Sequence, residues 1–359
     1  MTSMTALVVA CVLAASPAME GPTSVVIEGQ AYGASADETG PIGGGRGYTR
    51  MVTSGDLVAE NLDQLIDALA KAKTGQVVFI PGEVEIDCTA RVYIEELVLV
   101  VPSGVTLASS RGHDSSQGAL LYSDALKTSP LIRADGPDVR VTGLRLRGPV
   151  PRRYDDHHRR SFQEGRGHTY YYKLPTSRGI STEFPGLEVD NCELSAFSQS
   201  AVFLAKEERH HIHHSYIHHC QYAGLGYGVS MDVAVAIIEH NLFDCNRHSI
   251  AGTGRAGSGY EARHNIELGT SSSHCFDMHG GRDRKDGTDI AGTRILIHHN
   301  TFLAPNAPAI AIRGVPETEC DVYRNWFPRH ADGQAAVRAA DKTRVHENAF
   351  GKEPARVEP

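Results

Sequence analysis

Seven short segments of this chain share one pattern, apolar-x-x-Asn-x-apolar, and recur along it in register. "IEHNLF" (238–243), "IHHNTF" (297–302), "VYRNWF" (322–327) and "VHENAF" (345–350) match it fully, and "ARHNIE" (262–267) matches it less closely. "IHHSYI" (212–217) and "VDNCEL" (189–194) place Ser215 and Cys192 in the Asn column. From Cys192 through Ser215, Asn241, Asn265, Asn300, Asn325 and Asn348 the intervals are 23, 26, 24, 35, 25 and 23 residues. A period near 24 residues, short alternating segments and no helical periodicity predict a solenoid of stacked parallel strands. In each coil the apolar residues point inward. An Asn stands at a bend, where it tolerates a left-handed backbone and can hydrogen-bond to the Asn one coil above.

The pattern resembles the right-handed parallel β-helix of the pectate-lyase-like superfamily, over about residues 75 to 350. The fold expected is therefore all-β, a right-handed parallel β-helix with an N-terminal capping helix. "NLDQLIDALAKAK" (61–73) has apolar residues at 62, 65, 66, 69 and 70, one helical face, as a cap over an open β-stack requires. The reading divides the chain into a leader (1–18), an N-terminal arm (19–60) and one β-helix domain (61–359) interrupted by an insertion at 151–179. The leader "MTSMTALVVACVLAASPAME" has the outline of a secretory signal peptide cut near Ala18, so a secreted or extracytoplasmic location is expected.

"HHIHHSYIHH" (210–219) holds six of the chain's 19 histidines, which raises the question of a metal site. The repeat answers it. The stretch is one coil, with His213 facing outward and His214, His218 and His219 at or near turns. Histidines spread around a perimeter do not converge as metal ligands must, so no metal site is expected. The cysteines, without a C-x-x-C, read as buried free thiols, Cys220 and Cys245 included.

A second strand follows each Asn corner: "SAVFLA" (200–205), "AGLGYG" (223–228), "HSIAGT" (248–253), "HCFDMH" (274–279), "PAIAIR" (308–313) and "AAVRAA" (335–340). Outward positions are bland at both ends but carry His248, His274, Asp277, His279 and Arg313 in the middle. Long loops lie beside them, "GGRDRKDGTD" (280–289) and the basic, aromatic insertion. Catalysis is assigned to His248, His274, Asp277 and His279. Substrate contacts are assigned to Arg247, Arg255, Arg263, Arg282, Arg313, Tyr227, Tyr171 and Lys173. The formal charge of −8 argues against nucleic acid, and no apolar run reaches membrane length. A local group of arginines within an acidic chain suits an acidic polysaccharide. A monomer is expected.

The Phe-Asp-x-His core of "HCFDMH" resembles the Tyr-Gly-Phe-Asp-Pro-His strand of mannuronan C5-epimerases, with His274 in place of the family's Tyr and Met278 in place of its Pro. "GTGRAGSGYEARHN" and "DMHGGRD" look like bacterial alginate-lyase-like β-helix proteins. The resemblance implies a lyase cleaving an alginate-like uronate polymer by β-elimination. A uronate C5-epimerase is the alternative, and a β-helix glycosidase or a non-catalytic carbohydrate-binding protein comes after it. In the lyase and epimerase, a neutral Asp277 with Arg313, Arg247 or Arg255 would neutralise the uronate carboxylate, and His279 or His248 would take the C5 proton. No cofactor is called for; Asp283, Asp286 and Asp289 are the one candidate set for Ca²⁺.

Overall fold

The computed structural model describes residues 21–354 apart from 129 and 307, so the leader and Cys11 lie outside the described residues. The chain winds into a right-handed parallel β-helix with three long sheets of 11, 10 and 9 strands. The first sheet runs from Leu57–Val58 to Thr343–His346, the second from Glu85–Asp87 to Ala349–Phe350, and the third from Leu99–Pro102 to Val337–Arg338. Within each sheet, hydrogen-bonded neighbours come from successive coils, so residues one repeat apart in sequence touch in space.

That register turns the sequence repeat into columns. Ile212, Ile238, Ala262, Ile297 and Val322 stack on the inner side of the first sheet, and Val229, Ile250, Phe276 and Ile310 on that of the third. All of these are fully buried, each worth roughly 1.5–3 kcal/mol for the larger side chains. Phe302 and Phe327 lie face to face in the second sheet, with centroids 4.8 Å apart.

The Asn column exists, for a different reason from the one expected. Left-handed backbone falls on the residue before each Asn: His240, His264, His299, Arg324 and Glu347 all have positive φ. The Asn itself is buried and feeds the backbone of the corner. Asn265 Oδ1 accepts from Asn241 N at 3.0 Å, while its Nδ2 donates to Ile238 O at 2.7 Å and to Asn300 Oδ1 at 3.0 Å. The same bonds link Asn300, Asn325 and Asn348. Ser215 and Cys192 end the ladder through Ser215 N to Asn241 Oδ1 and Cys192 N to Ser215 Oγ. An inward corner strands N–H groups away from water, and an amide side chain is the group that can satisfy one coil while binding the next.

The cap is the helix Leu62–Lys71, with the Asn61 side chain accepting from Gln64 N and Leu65, Ala68 and Leu69 buried. The arm before it is ordered. A hairpin of Ser24–Ile27 and Gln30–Gly33 packs on Trp326 and Ala349 near the last coils. The chain then runs back along the first corner, with Gly43 N bonded to His240 O and Gly45 N to Asn191 Oδ1. It joins the first sheet at Leu57–Val58. At Gly44 a Cβ would lie 2.2 Å from His214 O, so only glycine lets the arm lie this close. The insertion forms the short helices Asp155–Phe162 and Gly167–Tyr171. All six described cysteines are free. No helix among the described residues is long and apolar enough to cross a membrane.

Candidate active site on the third sheet

The strands His248–Gly252, Phe276–Met278 and Ile310–Ile312 lie side by side in the third sheet, with Ala251, Asp277 and Ala311 in register on its outer face. Four of the expected residues meet here. Asp277 is fully buried, and its Oδ2 lies 3.0 Å from His279 Nε2, 2.8 Å from the Arg313 guanidinium and 3.7 Å from His248 Nε2. Burial alone would raise the Asp277 pKa. The hydrogen bond from His279 and the charges of His248, His279 and Arg313 outweigh it, and the carboxyl is held well below the ordinary carboxylate range. Asp277 is therefore an ionised anchor, and the expectation of a neutral Asp277 fails because His279 and the Arg313 guanidinium both converge on it.

His279 is the member that reaches solvent, its side chain 25% exposed. With Nε2–H given to Asp277, its Nδ1 has no partner among the described residues and carries the lone pair of a base. His248 differs. It is completely buried, its Nδ1 donates to His274 O at 2.6 Å, and burial pulls its pKa down to about 3. A neutral imidazole under the surface supports the site and cannot reach a polymer, which corrects its assignment as a base. His274, half-buried, stacks on His248 at 5.2 Å, and Tyr227 stacks on the other face at 5.8 Å.

Tyr227 holds that place because of a correction in register. The strand of its coil is Tyr227–Met231 rather than 223–228, with Val229 and not Leu225 in the inward column. Gly224 and Gly226, both at positive φ, lengthen the preceding turn and delay the strand by four residues.

The arginines separate into distinct roles. Arg313 bridges Asp277 and Asp283, at 2.8 and 3.0 Å, so it is occupied and not a free carboxylate receptor. Arg247 lies over the Tyr227 ring at 5.9 Å. Arg282 is 85% exposed, 3.4 Å from Asp289. Arg255 is exposed and paired with Asp232 at 2.7 Å, off this strip. Arg263 belongs to the first sheet, held by Glu239 and Glu261 at 2.5 Å each, and does not contribute to this face. Arg338, not singled out from the sequence, extends the outward column beyond Ala311. Arg282, Asp283, Asp289, Arg313 and Arg338 line a cleft of about 260 Å³.

Tyr171 is not a substrate contact. It is buried against Tyr222, centroids 5.2 Å apart, and its hydroxyl donates to Ala223 O, pinning the insertion to the coil. Its neighbours Tyr172 and Lys173 are exposed. Burial raises the Tyr172 pKa and the nearby Arg247 charge lowers it, which places this phenol beside the strip. The three acids proposed for Ca²⁺ face arginines instead of one another: Asp283 with Arg313, Asp286 with Arg284 and Asp289 with Arg282.

The histidine-rich stretch also departs from expectation. His214 and His219 do take left-handed corners, but His213 is buried beneath Tyr48 of the arm. His214, His240, His264 and His299 stack in one column, at 4.8 to 5.1 Å. Histidines converge with an acid at two points after all: Glu188, His211 and His213, and, at the corner, Asp37, His214 and His240, with ligand atoms within 4.8 Å of one another in each group. At the corner the arm supplies the acid, from 177 residues away.

No protein-family model and no curated protein matches this chain. Among solved structures it is similar to an alginate lyase from Paenibacillus sp. str. FPU-7, at 14% identity and a TM-score of 0.38, covering 82% of this chain and 97% of that one. It is also similar to a Family 28 exopolygalacturonase from Yersinia enterocolitica, at 12% identity and a TM-score of 0.46, covering 82% of this chain and 64% of the other. At these identities the likeness is one of fold, the parallel β-helix.

Proposed function

We propose that this chain is a polysaccharide lyase that cleaves an alginate-like uronate polymer by β-elimination on the outer face of the third sheet. One observation carries the reading: the partly exposed His279, held by the fully buried Asp277 carboxyl at 3.0 Å, with its second ring nitrogen free among the described residues. His279 Nδ1 takes the C5 proton of a bound uronate. Asp277 stabilises the imidazolium that forms, and the electron pair from C5–H passes toward the sugar carboxylate. That carboxylate is met by Arg247, which lies over the Tyr227 ring, and by Arg338, next to Ala311 in the outward column. The pair then forms the C4–C5 double bond as the C4–O bond breaks. The leaving oxygen takes a proton, for which the exposed phenol of Tyr172 is our candidate.

A glycosidase reading is weaker on the same geometry. It needs one protonated carboxyl, and Asp277, the buried member of the Asp277–Asp283 pair, is held ionised by Arg313 and His279.

The test is incubation with alginate, polygalacturonate, glucuronan and glycosaminoglycans. The proposal expects near-ultraviolet absorbance from an unsaturated product on a uronate polymer. Solvent deuterium at C5 without cleavage would make the protein an epimerase. New reducing ends without absorbance would make it a hydrolase.

A further inference from the structure

The corner of the first sheet carries a chain of polar groups that is one positive charge short. Glu188 Oε1 lies 3.1 Å from His213 Nε2, His213 Nδ1 lies 2.9 Å from His214 Nδ1, and His214 Nε2 lies 3.1 Å from Asp37 Oδ1. Each of these three contacts needs a hydrogen, and two neutral imidazoles supply only two. If His213 donates to Glu188 and His214 donates to His213, then the His214 Nε2 lone pair faces a carboxylate oxygen, and a cation must lie between them. Beside that contact is His240, only 5% exposed, whose Nδ1 has no hydrogen-bond partner and lies 3.8 Å from Asp37 Oδ2.

We infer that Asp37, His214 and His240 bind one divalent transition-metal ion of the zinc class, which clamps the N-terminal arm to the β-helix. Carboxylate and imidazole are the donors such an ion takes. With bonds of about 2.0–2.1 Å, tetrahedral ligand atoms lie about 3.3 Å apart; here His214 Nε2 is 3.1 Å from Asp37 Oδ1, His240 Nδ1 is 3.8 Å from Asp37 Oδ2, and the three donors all lie within 4.8 Å of one another. The His214 and His240 rings stack within 15° of parallel, so binding turns one of them. His240, whose Nδ1 has no hydrogen-bond partner, is the ring that loses no Nδ1 bond on turning. Asp37, 29% exposed, leaves the fourth position open to water. His213 and Glu188 form the outer hydrogen-bonded support that imidazole ligands commonly have. Glu239 and Arg263, the other charges facing His240, oppose each other.

The molecule holds its own comparisons. His298–His299 repeats the doublet with Glu261 at its near end, but among the described residues no carboxylate lies within ion-pair distance of His299. Glu188, His211 and His213 also converge, yet Arg50 and Arg140 already hold Glu188, and cations there oppose a metal.

The full chain, freed of metal by chelation, is titrated with Zn²⁺ by calorimetry and with Co²⁺ by visible absorption. We expect a single equivalent per chain, tetrahedral Co²⁺ bands, and a melting temperature raised by Zn²⁺. Asp37→Asn and His240→Gln should each abolish all three, and His298→Gln should retain them, with far-ultraviolet circular dichroism confirming that each variant is folded. No saturable binding by the folded parent would mean that the third cation is a proton and would overturn the inference. Binding unchanged in either ligand variant would do the same.

Discussion

Two regions of this solenoid are rich in histidine, and they are built on opposite principles. At the first corner His214, His240, His264 and His299 occupy one position of the repeat, stack ring on ring and lie partly beneath the arm. On the third sheet His248 and His274 stack at one position of two coils and His279 stands at another, around one buried carboxylate. Regular recurrence follows from what every coil needs, a side chain that tolerates a left-handed corner. The irregular cluster answers no such need: its outward column, from Arg133 through Ser181, Phe203, Ser230, Ala251 and Ala311 to Arg338, holds no carboxylate besides Asp277. The proposed chemistry lies where the periodicity breaks.

The comparison is broken most severely at His279. His279→Ala should lower turnover by about 10²- to 10⁴-fold while leaving the melting temperature near the parent's, because the side chain fills no core cavity. Steady-state rates and a thermal melt check both halves.

Next is the ladder. Asn265→Ala removes the acceptor of Asn241 N and the donor to Ile238 O inside the core, at about 1–3 kcal/mol for each group left unpaired. Urea denaturation should show the loss, with activity per folded molecule retained.

A third effect depends on pH. Glu267 points inward between Phe243 and Phe302, and neither oxygen has a hydrogen-bond partner. Burial raises its pKa from 4.5 to about 8. The neutral form is the one that the fold favours, so its contribution is full below pH 4.5 and lost as pH rises through about 8. Glu267→Gln should therefore match the parent near pH 4.5 and exceed it by up to a few kcal/mol at pH 8, read from paired melts. A difference independent of pH would mean that Glu267 has the same pKa in the folded and unfolded chain.

The smallest effect is expected at the periodic corner. His299→Ala should change turnover less than about twofold and cost at most about 1 kcal/mol, the scale of one surface-side substitution.

The fold was legible because a solenoid writes each column into the sequence at one interval. The Asn residues from 241 to 348 and the inward Ile250, Phe276 and Ile310 were placed by spacing alone. So was the meeting of Asp277, His279 and Arg313. What failed were features the period does not encode. The strand at Tyr227–Met231 slipped because two glycines lengthen its turn. Arg263 was misplaced although its coil phase, shared with His213 and Glu239, already put it on the first sheet. Tyr171 looked like a ligand contact, since an aromatic insertion gives no sign that it will fold onto Tyr222. Asp37 was invisible because an arm without repeats can meet any coil.

The most direct measurement is the rate of unsaturated-product formation from a uronate polymer by the parent, His279→Ala and His299→Ala, side by side at one pH and equal folded concentration. We predict that the parent and His299→Ala turn over alike and that His279→Ala falls by at least about two orders of magnitude. An inactive His299→Ala beside a fully active His279→Ala would place the chemistry at the repeating corner and contradict the account.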